Sequence, residues 1–184
     1  NKRAATENFI RQYFEHVPAE AIVGGDPVDL FGSVRAHWTF GASRPPGKSK
    51  VRVYNPSLAR VGWHSQHTVV ETVTDDMPFL VDSVVAELHR QELFVHTVIH
   101  PIIRLRRGKS GNLREVLGPG APANGAATES FMHIEVTRQS ANRLKEIQAG
   151  LEAVFGDVRA AIKDWRDMRE KMAEVVVELE NRPA

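Results

Sequence analysis

Along the chain the spacing of apolar residues changes from helical to alternating and back. In "TENFIRQYFEHV", Phe9, Ile10, Tyr13, Phe14 and Val17 share one helical face, and Pro18 closes the run. "GDPVDLFGSVRAHW" predicts a second helix: Asp26 caps, Pro27 suits the first turn, and Leu30, Phe31, Val34 and Trp38 form an apolar stripe. "GASRPPGKSK" is rich in breakers and reads as a linker, and "VRVYNP" after it as a short strand. From His67 the pattern becomes strand, helix, strand, strand, helix. "HTVVETVT" is β-branched, and beyond Asp76, Met77 and Pro78 the pairs Leu80/Val81 and Val84/Val85 lead to Leu88 at helical spacing.

The segment "FVHTVIHPIIRLRR" alternates over an unusual length. Val95, Thr97, Ile99, Pro101, Ile103 and Leu105 fall on one face, with Phe94, His96, Val98, His100 and Ile102 on the other. "GKSGNLREVLGPGAPANGAATE" reads as a long mobile connection, and "SFMHIEVTR" as a strand with Met132, Ile134 and Val136 on one side. Ser140 caps a helix carrying Leu144, Ile147, Leu151, Val154 and Phe155 inward, which Gly156-Asp157 is expected to end. "DVRAAIKDW" is then expected as a short fourth strand. From Asp164 onward, Trp165, Met168, Met172, Val175 and Leu179 follow heptad-like spacing, so this last helix is expected to seek a partner surface.

The order βαββαβ predicts an α+β fold, a ferredoxin-like sandwich with two helices on one face of an antiparallel sheet. Its second and fourth strands lie at the edges, where Pro101 is tolerated. The expected division is a helical extension over 1–48, an α+β domain over 49–164 and a C-terminal helix over 165–184 that leads to a next domain.

Composition narrows the chemistry. Over 184 residues, 42% hydrophobic and 26% charged content describes an ordinary globular protein with one substantial core. Lys and Arg number 24 against 23 Asp and Glu, a net charge of +1, which gives no electrostatic case for nucleic acid or an anionic membrane as partner. With no cysteine there is no disulfide framework and no thiolate, which fits a reducing cytoplasm. A start at Asn1 and a helix running almost to Ala184 read as a piece of a longer polypeptide.

Asp75 and Asp76 invite an acid-pair reading. Neighbours on an extended chain point to opposite faces, so the two carboxylates do not serve one bond. Asp76 is instead expected to cap the following helix, and the turn also exposes backbone N–H groups that suit a carboxylate ligand. His96 and His100 lie about 13 Å apart at about 3.3 Å per residue, too far for one metal, and His133 with Glu135 makes only a weak pair of ligands. No metal site is expected; the histidines are read as a polar face meeting another domain or subunit. "GPGAPA" lacks the strand before and helix after that a dinucleotide fingerprint needs. RNA binding would need more base-stacking aromatics than Phe131 alone.

The stretches "VRVYNPS", "HTVVETVTDDMPFLVDSVVAELHRQELFVHTVIHPIIRLRR" and "ESFMHIEVTRQ", with "VRAAIKDWRDM" as a weaker echo, resemble the N-terminal region of the large bacterial NAD-dependent glutamate dehydrogenases. The resemblance spans most of Val51 to Met168. It implies a parent enzyme that oxidatively deaminates L-glutamate to 2-oxoglutarate and ammonia with NAD, its catalytic and Rossmann-type domains lying downstream. It also implies that this part is a non-catalytic ACT-type module, without cofactor of its own, of a kind that senses amino acids or pairs subunits. In ACT modules the turn after the first strand carries the effector on a D-x-x-P-G-x-L pattern. The matching positions here are Asp75, Asp76, Met77, Pro78, Phe79 and Leu80, with Phe79 where glycine is usual.

Three functions follow as expectations. The first is an assembly module of a homo-oligomer whose contact surface is the outer face and edge of the second strand: His96, Val98, His100, Pro101 and Ile102, with His133. The second is an allosteric sensor binding an amino acid at Asp76–Leu80. The third, from another class, is a small free-standing enzyme using Asp75, His96 or His133, for which no nucleophile–base–orienter set is present.

Overall fold

The computed structural model describes residues 2–122 and 124–181. Helices α1 (Lys2–Phe14), α2 (Ala19–Val23) and α3 (Pro27–Gly41) come first. Strand β1 (Lys50–Tyr54), the short helix α4 (Leu58–Val61), β2 (Thr68–Asp75) and α5 (Leu80–Arg90) follow. Then come β3 (Val95–Ile99), β4 (Ile102–Arg107), β5 (Leu113–Val116), β6 (Ala127–Val136), α6 (Ala141–Lys163) and α7 (Trp165–Asn181). Asp26 caps α3 as its position predicts, its carboxylate accepting from the Val28 and Asp29 N–H groups.

The sheet is antiparallel throughout, in the order β1-β2-β6-β4-β5, with β3 also paired to β6. Strands β3 and β4 occupy successive stretches of the same side of β6: Ile99 faces His133, and Ile102 faces Ser130. They are one long strand broken at His100-Pro101, since proline brings no N–H to a ladder. A bulge between Val95 and Thr97 also breaks the expected alternation. Val95 therefore packs with the core beneath α5 and α6, while Ile99 packs on the opposite face.

Two expectations are corrected. Residues 157–163 are not a strand: α6 runs through Gly156 to Lys163, with Ile147, Leu151, Phe155 and Val158 all buried. One exposed glycine costs a helix about 1 kcal/mol, less than the burial of the apolar residues beyond it returns. The edge that a fourth strand would take is filled by β1, which pairs with β2 from Lys50↔Val73 to Tyr54↔Val69. The connection after β4 is not wholly irregular either, because Leu113–Val116 returns as β5 and pairs with β4.

The ferredoxin-like sandwich is covered on both faces. On one, α5 and α6 bury Val51, Val53, Val70, Met132, Ile134 and Val136 in a largely apolar core that also holds Thr72. On the other, α1 and α3 cover Phe131, Val73, Ile103 and Leu105. This double cover is why seven of the eight residues of β2 are buried rather than every second one. Helix α3 approaches closely because Gly32 lies on Trp63 and Gly41 on Phe131, where a Cβ would collide with each side chain. Among the described residues no helix is long and apolar enough to cross a membrane.

Candidate functional site

The α1/α3 face carries the molecule's buried charge. Strand register places Arg52 opposite Glu71 and Glu71 opposite His133, three polar residues in one row across β1, β2 and β6. Glu71 is fully buried and ion-paired with Arg52, and it accepts from the Tyr54 hydroxyl at 3.0 Å. His133, 3% exposed, has Nε2 at 3.4 Å from Glu135 Oε1 and Nδ1 at 3.8 Å from Glu71 Oε1. The second separation is too long for a hydrogen bond, so Nδ1 has no hydrogen-bond partner and interacts with Glu71 by charge alone. Helix α3 adds His37, whose ring nitrogens contact the Tyr13 hydroxyl at 3.0 Å and the Thr72 carbonyl at 3.1 Å.

Burial and charge set the protonation of this cluster. Burial lowers the His37 pKa to about 4, leaving it neutral at neutral pH. Burial also works against a charged His133, but Glu135 and Glu71 outweigh it and raise the pKa to about 9. For Glu71 burial works upward, and His37, His133 and Arg52 outweigh it to hold the carboxyl at about 2. Since His37 is uncharged at neutral pH, His133 and Arg52 carry that stabilisation. Burial likewise opposes ionisation of Glu135, which His133, His67 and Ser65 hold at about 2. The group therefore balances: Arg52 and His133 positive, Glu71 and Glu135 negative.

His37, Glu71 and His133 bring ligand atoms within 4.8 Å of one another. They do not suit a metal. Both His37 nitrogens are engaged, Glu71 is paired with Arg52, and the proton on His133 already supplies the neutralising charge. A divalent ion replacing it would leave a buried net positive charge.

A cleft of about 260 Å³ opens beside this cluster, between the C-terminal end of α1, α2, α3 and β3. Glu135 and His133 line it together with Tyr13, Ser33, Thr97 and Val98. Glu135 Oε2 accepts from Ser65 at 3.1 Å and contacts His67 Nδ1 at 2.8 Å, while Oε1 has only the long approach of His133.

The turn between β2 and α5 holds its residues differently from the capped turn expected. Asp76 is exposed and does not cap; α5 begins after Phe79, with Ser83 N–H donating to the Phe79 carbonyl at 3.0 Å. Asp75 bonds Arg44 at 2.6 Å and Arg159 at 2.9 Å. Partial burial works against its charge, and Arg44 and then Arg159 hold its pKa below the usual carboxylate range. Arg44 and Arg107 also clamp buried Glu129, at 2.7 Å and 2.6 Å. Met77 and Leu80 point into the α5/α6 core, whereas Phe79 is 54% exposed and meets the Trp165 ring edge-on at 6.0 Å. Trp165, Met168, Met172, Val175 and Leu179 of α7 are all exposed.

The residues read as an interface separate into groups. His96 and Val98 are exposed on β3, whose outer edge is unpaired among the described residues. His96 stacks on His67 at 4.0 Å between ring centroids. His100 is half-buried, with Nε2 2.7 Å from the Ser130 hydroxyl. Pro101 is buried, and Ile102 lies on β4, which β5 pairs along its far side. His133 is no surface residue: this chain's own helices and Trp63 close over it. Glu71, Arg52, Tyr54 and His37 were not singled out from the sequence. The signal was Glu71 itself, a lone carboxylate amid β-branched residues, which burial would compel to find a cation.

Residues 9–151 match the family described as "Glutamate dehydrogenase, ACT1 domain". The chain belongs to that family. It is 36% identical over 186 aligned positions to an NAD-specific glutamate dehydrogenase of Halomonas elongata, a match covering 100% of this chain and 12% of the relative. The corresponding enzyme of Pseudomonas aeruginosa is 33% identical across 91% of this chain and 10% of its own length. That of Mycobacterium tuberculosis is 24% identical over 79% of this chain. The chain thus spans about a tenth of the length of the relatives it matches. For an ACT-type domain the β2–α5 turn has one notable residue. Phe79 takes φ 67°, the left-handed conformation that glycine adopts without strain.

Proposed function

We propose that this chain is the regulatory and assembly module of an NAD-dependent glutamate dehydrogenase, contributing no catalytic group. The parent enzyme would oxidatively deaminate L-glutamate to 2-oxoglutarate and ammonia, with NAD bound by domains outside this stretch. Family membership supports the regulatory reading. The observation that carries the assembly reading is the free edge of β3. Along β4 the far side is paired by β5, whereas Val95–Ile99 of β3 has no outer partner among the described residues, as is also true of the terminal strands β1 and β5. Phe94 and Val98 beside it are 67% and 40% exposed. An edge of unpaired N–H and C=O groups flanked by apolar side chains is suited to pairing with a second strand, here from another copy of the chain. The geometry favours this over effector binding at Asp76–Leu80: Asp75 beside the turn is held by two arginines, Met77 and Leu80 belong to the core, and Phe79 brings a bulky side chain where glycine would leave the backbone open.

The test is native mass and steady-state kinetics of the full-length protein carrying Val98→Glu with His96→Glu. Both side chains are exposed, so folding is expected to be unaffected while the oligomer dissociates or loses its regulation. Unchanged mass and unchanged kinetics would remove the edge from consideration.

A further inference from the structure

We propose that α7 is a further contact between copies of the chain, pairing antiparallel with α7 of a second copy along the seam Met168, Met172, Val175 and Leu179. Every residue from Asp167 to Asn181 is exposed, and the four seam residues are between 47% and 67% exposed. A 17-residue helix standing alone in water is marginal, and the β-branched run Val175–Val177 weakens it further. A partner surface has to supply the stability that propensity does not.

The spacing defines that surface. Steps of four, three and four residues along the seam are those of heptad a and d positions, the pattern of a helix that buries one narrow stripe against another helix. The steps also read the same from either end. Turned end for end about a twofold axis near Ala173 and Glu174, Met172 of one copy meets Val175 of the other, and Met168 meets Leu179. The stripe is therefore complementary to itself.

Charge and the neighbouring turn set the direction. In this register Lys171 and Glu178, which flank the stripe at g positions, face one another across the pair, and the symmetry makes that contact twice. In a parallel pair Lys171 would face the uncharged Val176, and Trp165 would lie on Trp165 of the other copy. Phe79 already meets the Trp165 ring at 6.0 Å, so that position is covered by the chain's own β2–α5 turn and the free stripe begins at Met168. Antiparallel pairing also opposes the two helix dipoles and sets the two domains at opposite ends of a rod about 25 Å long, at about 1.5 Å per residue. Four side chains from each helix are too few to hold two proteins together, so the pair acts inside an assembly that other contacts already hold. It thus rests on the assembly reading, though not on the edge of β3.

The experiment is oxidative cross-linking of the full-length protein carrying Met168→Cys with Leu179→Cys. Mass spectrometry identifies the joined peptides, and the native mass of the unaltered protein is measured beside it. The two positions lie about 16 Å apart on one helix, beyond the roughly 7 Å that a disulfide bridges, so a link between them joins two chains. That link is expected to form. Adding Lys171→Glu sets like charges opposite one another and is expected to slow the link at least about fivefold, and adding Glu178→Lys as well is expected to restore it. Links from 168 to 168 and from 179 to 179 would show a parallel pair and overturn the proposal. So would a link to another segment of the chain in place of the expected one, no link at all, or a rate unchanged by Lys171→Glu. An oligomer without the 168–179 link sinks the α7 pair alone and leaves the assembly reading standing, whereas a monomeric unaltered protein sinks both.

Discussion

The two faces of the sheet are built from the same strands by opposite means. Under α5 and α6, Val70, Met132, Ile134 and Val136 meet Val84, Leu88, Ile147 and Leu151 in a predominantly apolar core, with few buried polar side chains, such as Thr72 and Glu87, beside it. Under α1 and α3, the residues one step along the same strands are Glu71, His133 and Glu135, joined by Arg52, Tyr54 and His37. Apolar contact is non-directional and forgiving, whereas every member of the polar face depends on a named partner. The first face accounts for the fold. The second is where a cleft, an ion pair and an open strand edge lie together, and a domain without catalytic groups would do its work there.

The sharpest way to break this contrast is to remove one partner from the polar row. Glu71→Ala leaves Arg52 without its buried counter-charge and His133 with Glu135 alone, and is expected to cost about 3–5 kcal/mol. Chemical denaturation measures this. The double variant Glu71→Leu with Arg52→Met, which removes charges of both signs, is expected to recover part of the loss, whereas no recovery would mean that packing rather than charge was at stake. On the other face Ile147→Ala is expected to cost about 3 kcal/mol through lost burial and a cavity, with no change in pH dependence.

That pH dependence separates the faces next. His133 is raised from 6.5 to about 9, so its contribution is complete below pH 6.5 and lost as pH rises through 9. His37 is lowered from 6.5 to about 4, so its contribution is complete above pH 6.5 and lost as pH falls through 4. Stability is therefore expected to peak near pH 6.5 and fall on either side by about 1.4 kcal/mol per unit at most for each histidine. His133→Gln should flatten the alkaline limb; thermal melts from pH 4 to pH 9 would show a limb that persists if another group causes it. The smallest effect is at the turn. Phe79→Gly relieves a left-handed residue at the loss of an exposed contact with Trp165, and is expected to raise stability by about 1 kcal/mol. A fall instead would show that the Phe79–Trp165 contact outweighs the backbone strain.

Much of this was legible in the sequence, and the misses have physical reasons. Periodicity located α1, α3, β2, α5 and β6, and the Asp26-Pro27 cap was visible because capping is local. Gly156 misled because a helix continues through a glycine when the buried spacing beyond it continues. The Asp76 cap failed because Met77 and Leu80 are drawn into the core and delay the start of α5. His37, Glu71 and His133 come from three elements distant in sequence, and only strand register and the seating of α3 on Trp63 and Phe131 bring them together. The bulge after Val95 is a one-residue shift that alternation alone does not show.

Hydrogen exchange at the amides of Val95–Ile99, compared between the assembled full-length protein and its Val98→Glu, His96→Glu variant, tests the central proposal most directly. If β3 pairs with a second copy, these amides are protected in the assembled wild type and exchange rapidly in the variant. Rapid exchange in both, with the wild type fully assembled, would contradict it.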